Sequence, residues 1–175
     1  MEKSFITGLK KYLETPKKIV ILPHRNADGD ALGSTLAWYH FLCQKGHEAV
    51  VISPNDYPDF LKWLPGEDEI LKQNQKPLEI QEKILNADLI FTLDFNALGR
   101  VQELTDLVRK ALGEKIMIDH HQEPDDYADI TFSNPAIGST CEFVFQIIDR
   151  LGWVSNISKD IASCLYTGIV TDTGS

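Results

Sequence analysis

Cysteine is scarce in this sequence. Cys43, Cys141 and Cys164 are the only three, and no two of them form a Cys-x-x-Cys pair. A disulfide framework and a thiolate zinc site are therefore excluded, and reduced, mostly buried thiols in a cytoplasmic protein are expected. Positive charge is also in short supply. Lys and Arg total 17 against 26 Asp and Glu, a formal net charge of −9. A basic face that grips long duplex nucleic acid is excluded. A small phosphorylated ligand is not, because bound cations can supply positive charge locally. Long apolar runs are missing as well. The longest, residues 19–22 and 87–93, fall far short of the ~20 that span a bilayer, and Asp88 interrupts the second. No membrane association is expected. The opening Met1-Glu-Lys-Ser-Phe has no apolar core, so no secretory leader is expected either.

What is present is a chain of 175 residues with 43% hydrophobic content, the length of one ordinary domain. β-like runs alternate with helical patterns. Lys18–Leu22 reads as a buried strand, 31–43 as a helix ended by Gly46, and 49–52 as a second strand. Residues 55–66 carry two prolines and one glycine and read as a loop, with a helical turn at 60–64. Then follow a helix at 78–86, a strand at Leu89–Leu93, a helix at 98–112, a strand at 115–118 and a helix at 138–151. Ser158 caps a last helix running to about Val170. This order predicts an α/β fold, a parallel sheet with helices on both faces. Such sheets bind ligands just beyond the carboxyl ends of their strands.

Chemistry-bearing residues fall at those ends. His24-Arg25-Asn26-Ala27-Asp28-Gly29-Asp30 follows the first strand. Asp94 follows Leu89–Leu93, and Asp119-His120-His121 follows 115–118. Asp172 comes after the last helix, in Thr171-Asp172-Thr173-Gly174. Each has a plain structural reading: His24 as a hydrogen-bonded loop histidine, Asp30 as a helix cap, Asp94 as a cap for the helix near Leu98. Together they are carboxylates and imidazoles gathered at one edge, which repel and are stabilised by divalent cations. A calcium loop is dismissed, because the D-x-[DN]-x-[DN]-G pattern with Glu at position twelve is absent. His40 and His47 read as surface or boundary residues. Ser139-Thr140 reads mainly as a helix cap.

These residues, in this order, resemble the four motifs of the DHH phosphoesterases. Asp28-Gly-Asp-Ala-Leu-Gly-Ser34, Ile118-Asp-His-His-Gln-x-Pro124, Gly138-Ser-Thr-Cys-Glu142 and Thr167-Gly-Ile-Val-Thr-Asp-Thr-Gly174 look most like the bacterial oligoribonuclease / 3′-phosphoadenosine 5′-phosphate (pAp) phosphatase group. Family II inorganic pyrophosphatases are similar in ligands but usually read Asn-Pro-Asp-x-Asp at the first motif. Here the sequence is Asn-Ala-Asp-Gly-Asp. The resemblance implies two divalent cations, most readily Mn2+, that activate water for attack on phosphorus. It places His24 and Asp28 on one metal, Asp30, His120 and Asp172 on the other, and Asp94 between them. It makes His121 a contact to the scissile phosphate and Asp119 the residue that orients a histidine. Arg25 and Arg100 are candidate substrate contacts.

The implied substrates are short RNA oligonucleotides and nucleoside phosphates such as pAp. The alternatives are hydrolysis of a cyclic dinucleotide, pyrophosphate or polyphosphate, or a non-catalytic metal- or nucleotide-binding domain. A homo-oligomer is compatible with the sequence. The family carries a second C-terminal substrate domain with a glycine-rich histidine motif. No Gly-Gly-His occurs here and the chain stops inside the fourth motif, so residues 1–175 are expected to be the catalytic domain alone.

Overall fold

The computed structural model describes residues 3–174. Six strands form one sheet in the order β3-β2-β1-β4-β5-β6, every pairing parallel. The strands are β1 (Lys18–Leu22), β2 (Glu48–Ser53), β3 (Leu71–Lys72), β4 (Leu89–Leu93), β5 (Glu114–Asp119) and β6 (Ile130–Ser133). All five residues of β4 are buried, as expected for a strand covered on both faces. Alternation then assigns each face. Ile19 and Ile21 of β1, with Leu89, Phe91 and Leu93 of β4, point into one core, while Val20, Leu22 and Ile90 point into another.

Helices α1 (Lys3–Tyr12), α2 (Gly29–Gln44), α5 (Thr140–Arg150) and α6 (Lys159–Thr173) cover the first face. Helices α3 (Pro77–Leu85) and α4 (Thr105–Lys110) cover the second. No helix among the described residues is long and apolar enough to cross a membrane.

Four elements escape periodicity. The strands β3 and β6 are two and four residues long, too short to show alternation. The predicted helix at 98–112 is broken: a 3-10 segment, Leu98–Leu104, meets α4 across Gln102, whose φ of 39° and ψ of −97° are not helical. Helix α1 lies where the sequence was read as carrying no element. Two side-chain expectations are also corrected. Cys43 is exposed, because it lies on the outer side of the last turn of α2. His47, expected as a surface or boundary residue, is 6% exposed, just after Gly46 (φ 85°) turns the chain from α2 into β2.

Helix α2 is buried almost throughout its first ten residues, because it lies between the sheet and α5–α6. Small residues permit that depth. A Cβ at Gly33 would stand 2.6 Å from the Cys164 carbonyl oxygen, and one at Gly168 would stand 2.2 Å from the Cys141 sulfur. This close approach of α6 to α2 brings Asp172 beside the start of α2. Gly33→Ala should therefore cost about 1–3 kcal/mol, since a backbone carbonyl cannot move aside alone. Gly8→Ala meets nothing within 4 Å on α1 and should gain up to about 1 kcal/mol of helix propensity. Urea midpoints of the two variants should move in opposite directions.

Candidate metal centre

The strand order reverses between β1 and β4, the point where open α/β sheets form a crevice. His24 follows β1 by two residues and Asp94 follows β4 directly, so both flank that crevice. Asp94 is 2% exposed and sits at φ 67°, a left-handed conformation rare for a residue with a side chain. Its N–H donates to the Ile118 carbonyl at 3.0 Å. Asp94 caps no helix, contrary to the plain reading of it. Its Oδ1 instead accepts from the Thr140 hydroxyl at 2.8 Å.

The other groups converge on it. His24 Nε2 lies 3.7 Å from Asp94 Oδ2 and 3.8 Å from Asp28 Oδ2. His120 Nε2 lies 3.5 Å from Asp94 Oδ1, 3.5 Å from Asp172 Oδ2 and 3.9 Å from Asp30 Oδ2. Both rings are fixed from behind. His24 donates Nδ1–H to the Arg25 carbonyl at 2.8 Å, and His120 faces the Ile137 carbonyl with Nδ1 at 3.3 Å. That leaves each Nε2 lone pair aimed at the carboxylates.

Helix N-termini position two of the acids. Asp28, not Asp30, is the N-cap of α2: its Oδ1 accepts from Asp30 N and Ala31 N, and its Oδ2 faces His24. One side chain thus serves as a cap and a site residue at once. Asp30 lies against the N-terminus of α5, accepting from Thr140 N at 2.6 Å and Cys141 N at 2.9 Å. Those N–H groups are taken by Asp30, while Ser139 caps α5 as expected. Asp172 lies within α6, not after it, because the helix continues to Thr173 before Gly174 adopts a left-handed cap.

His121 is turned differently from His120. It donates Nδ1–H to Asp119 Oδ1 at 2.7 Å, and Asp119 is fully buried. His121 Nδ1 is the atom that comes within 4.0 Å of Asp94, so Asp119 occupies the nitrogen nearest the cluster and leaves Nε2 facing outward. Arg25 forms an ion pair with Glu103, and its N–H donates to the Arg100 carbonyl at 2.9 Å. Arg100 is exposed, with no ion pair among the described residues. The sequence reading overlooked the hydroxyl of Thr140 as a partner of Asp94. It also overlooked the Asn26–Asn55 pair, in which Asn55 accepts from Asn26 N and donates to Asn26 Oδ1. That pair pins the turn between His24 and Asp28, where Asn26 has φ 56°.

The electrostatics are those of crowded carboxylates. Burial, then the charges of Asp30 and Asp28, push the Asp94 carboxyl well above its ordinary range. Burial and Asp30 also raise Asp172, partly offset by His120. Burial, then Asp30, hold the Cys141 thiol protonated, so it is no nucleophile.

The donor set fits divalent cations. Separations of 3.5–3.9 Å between imidazole nitrogen and carboxylate oxygen are too long for hydrogen bonds. Two donors each roughly 2.1 Å from one ion stand about 3–4 Å apart. Donor atoms of His24, Asp28 and Asp94 lie within 4.8 Å of one another, as do those of Asp30, His120 and Asp172, and those of Asp94, His120 and His121.

A crystal structure of an exopolyphosphatase-related protein from Bacteroides fragilis superposes with a TM-score of 0.97 at 48% identity, covering 99% of this chain and 51% of that one. A Thermus thermophilus protein named bifunctional oligoribonuclease and PAP phosphatase NrnA is 34% identical over 171 residues, 97% of this chain and 47% of its own. A Listeria monocytogenes protein named cyclic-di-AMP phosphodiesterase PdeA is 23% identical over 95% of this chain and 26% of its own. The chain thus spans about half the length of the first two. Residues 18–169 match the N-terminal domain of the DHH family, and the chain belongs to that family.

Proposed function

We propose that this chain carries the metal centre of a phosphoesterase that hydrolyses short oligoribonucleotides and removes the 3′-phosphate of pAp. The observation that carries the reading is the buried Asp94 carboxylate, whose Oδ2 lies 3.7 Å from His24 Nε2 and whose Oδ1 lies 3.5 Å from His120 Nε2. His24 and Asp28 would hold one cation, Asp30, His120 and Asp172 the other, and Asp94 both. When bound, such cations supply Lewis acidity at the phosphoryl oxygens and lower the pKa of an attacking water. Imidazoles mixed with carboxylates favour manganese over magnesium, which prefers oxygen ligands. The protein's own part is positional. Asp119 holds the His121 ring so that Nε2, when protonated, donates to a phosphoryl oxygen. Thr140 fixes the Asp94 carboxylate, and the α5 N–H groups fix Asp30. The name of the Thermus relative supports the substrate class. A cytoplasmic setting suits the free thiols.

The test is a length series of labelled oligoribonucleotides, with pAp, pyrophosphate and cyclic dinucleotides alongside, all in Mn2+. Di- to pentanucleotides and pAp should be hydrolysed well and long RNA poorly. A net charge of −9 leaves little to hold a long polyanion, so affinity should depend only weakly on salt. The second reading, cyclic dinucleotide hydrolysis, is favoured by the Listeria relative's name, and a clear preference for that substrate would establish it. No hydrolysis of any of these would leave a binding domain.

A further inference from the structure

Phe60, Trp63 and Tyr166 leave large rings 66%, 61% and 71% exposed. Apolar side chains exposed singly are ordinary, but these three meet at one place. With Leu61 and Val170 they line a mostly apolar cavity of about 320 Å³. Phe60 lies on the 3-10 turn Asp59–Leu61 that follows β2, on the carboxyl side of the sheet. Tyr166 and Val170 lie on α6, the helix that delivers Asp172.

The cavity reaches the metal centre through Thr171. That residue lines the cavity, and its hydroxyl would stand 2.3 Å from a Cβ at Gly29, between Asp28 and Asp30. Along α6, Tyr166 and Asp172 are separated by about 9 Å of axial rise. A nucleotide holds its base one sugar away from its phosphate, so a phosphate at the centre leaves its base free to enter the cavity.

Charge decides what enters. The loop carrying Phe60 and Trp63 also carries Asp56, Asp59 and Glu67. Lys62 is held by Asp56 and Asp59, and Lys72 by Asp56 and Glu67. Among the described residues no lysine or arginine of that loop is left without a carboxylate partner for a second phosphate, whereas an uncharged aromatic base fits an apolar, ring-lined wall. We infer that Phe60, Trp63 and Tyr166 form a stacking platform for the base of the nucleotide whose phosphate lies at the metal centre. This rests on the phosphoesterase reading, and it makes the enzyme selective for substrates with a base while indifferent to which base.

Tryptophan emission tests it without turnover. Trp38 is fully buried and Trp153 is half-buried beneath Lys45, so ligand quenching reports Trp63. In Mg2+, adenosine monophosphate should quench Trp63 and ribose 5-phosphate should not. Tyr166→Ala and Phe60→Ala should each weaken adenosine monophosphate binding about 5- to 100-fold relative to ribose 5-phosphate. Trp63→Ala should raise KM for dinucleotides by a similar factor with little change in kcat, and Trp63→Phe should restore most of it. Unchanged KM in all three alanine variants, with wild-type hydrolysis intact, overturns the platform and leaves the phosphoesterase reading standing. The quenching assay still decides the platform if no substrate is turned over. Loss of self-association in sedimentation, with nucleotide affinity unmoved, identifies the surface as an interface between copies and likewise overturns it.

Discussion

His120→Ala should strip the protein of metal and of activity together, whereas His121→Ala should strip only activity. The two histidines are adjacent in sequence and their ring centroids lie 4.7 Å apart, but they turn different nitrogens toward Asp94, Nε2 of His120 and Nδ1 of His121. His120 Nε2 faces carboxylates of Asp30, Asp94 and Asp172 at 3.5–3.9 Å, so its removal takes a donor from the centre of the cluster. Metal affinity should fall by more than the roughly 10- to 100-fold that loss of an outer partner costs. His121 has its cluster-side nitrogen occupied by Asp119 and is half exposed on the other. Its loss should leave bound manganese nearly intact and lower turnover about 10²–10³-fold, the range for one donor to transition-state charge. Asp119→Asn should behave as a milder His121→Ala, because the ring remains but its orientation is loosened. Equilibrium dialysis with elemental analysis measures the metal, and dinucleotide hydrolysis at saturating Mn2+ measures the rate. A greater metal loss in His121→Ala than in His120→Ala would reverse the two roles.

The contrast between these neighbours shows where the sequence was legible and where it was not. Strand β4 could be read to the residue because a parallel strand buried on both faces is an unbroken apolar run bounded by charge, here Asp88 and Asp94. The position of Asp94 at its carboxyl end followed from that run. The edge strand β6 could not be read, because four residues with two of them polar carry no period. The end of α6 was placed too early, so Asp172 was expected beyond the helix. Thr171, Asp172 and Thr173 are poor helix formers, and it is packing of α6 on α2 through Gly33 and Gly168 that carries the helix on. Asp28 and Asp30 were both visible, but their division of labour was not. The choice of cap depends on where α5 presents its N–H groups, and those lie 110 residues away in the chain. The exposed rings of Phe60 and Trp63 gave no signal either, since a loop sequence does not say which of its aromatics stay outside.

The second large effect concerns stability without metal. In metal-free protein at neutral pH, Asp94→Asn should be more stable than the wild type, and saturating Mn2+ should invert that order. Asp94 is buried, and burial together with Asp30 and Asp28 raises its folded-state pKa above the unfolded value near ~3.9. The folded state therefore binds this proton more tightly than the unfolded state does. The stability this confers is present at low pH and is lost as pH rises from the unfolded pKa through the folded one. Asp172 acts in the same direction. Asp56 and Glu103, whose pKa values are lowered, act in the opposite direction: their contribution is lost as pH falls. Because these opposing groups are common to both proteins, the difference between wild type and Asp94→Asn isolates Asp94. Asparagine preserves the rest of the site, since it tolerates the left-handed backbone and its Oδ1 can still accept from Thr140. The difference should be smallest near pH 4 and grow in favour of the variant toward neutrality. A cation bound to the folded state alone adds about 2.7 kcal/mol when present at 100 times its Kd. The wild type should gain this from both ions and the variant should not, because the Asp94 carboxylate faces His24 with one oxygen and His120 with the other. Urea unfolding at several pH values, with chelator and with Mn2+, measures every term. A metal-free variant less stable than the wild type at neutral pH would mean that the Asp94 carboxylate is already compensated by its protein neighbours. The cluster would then have no need of a cation.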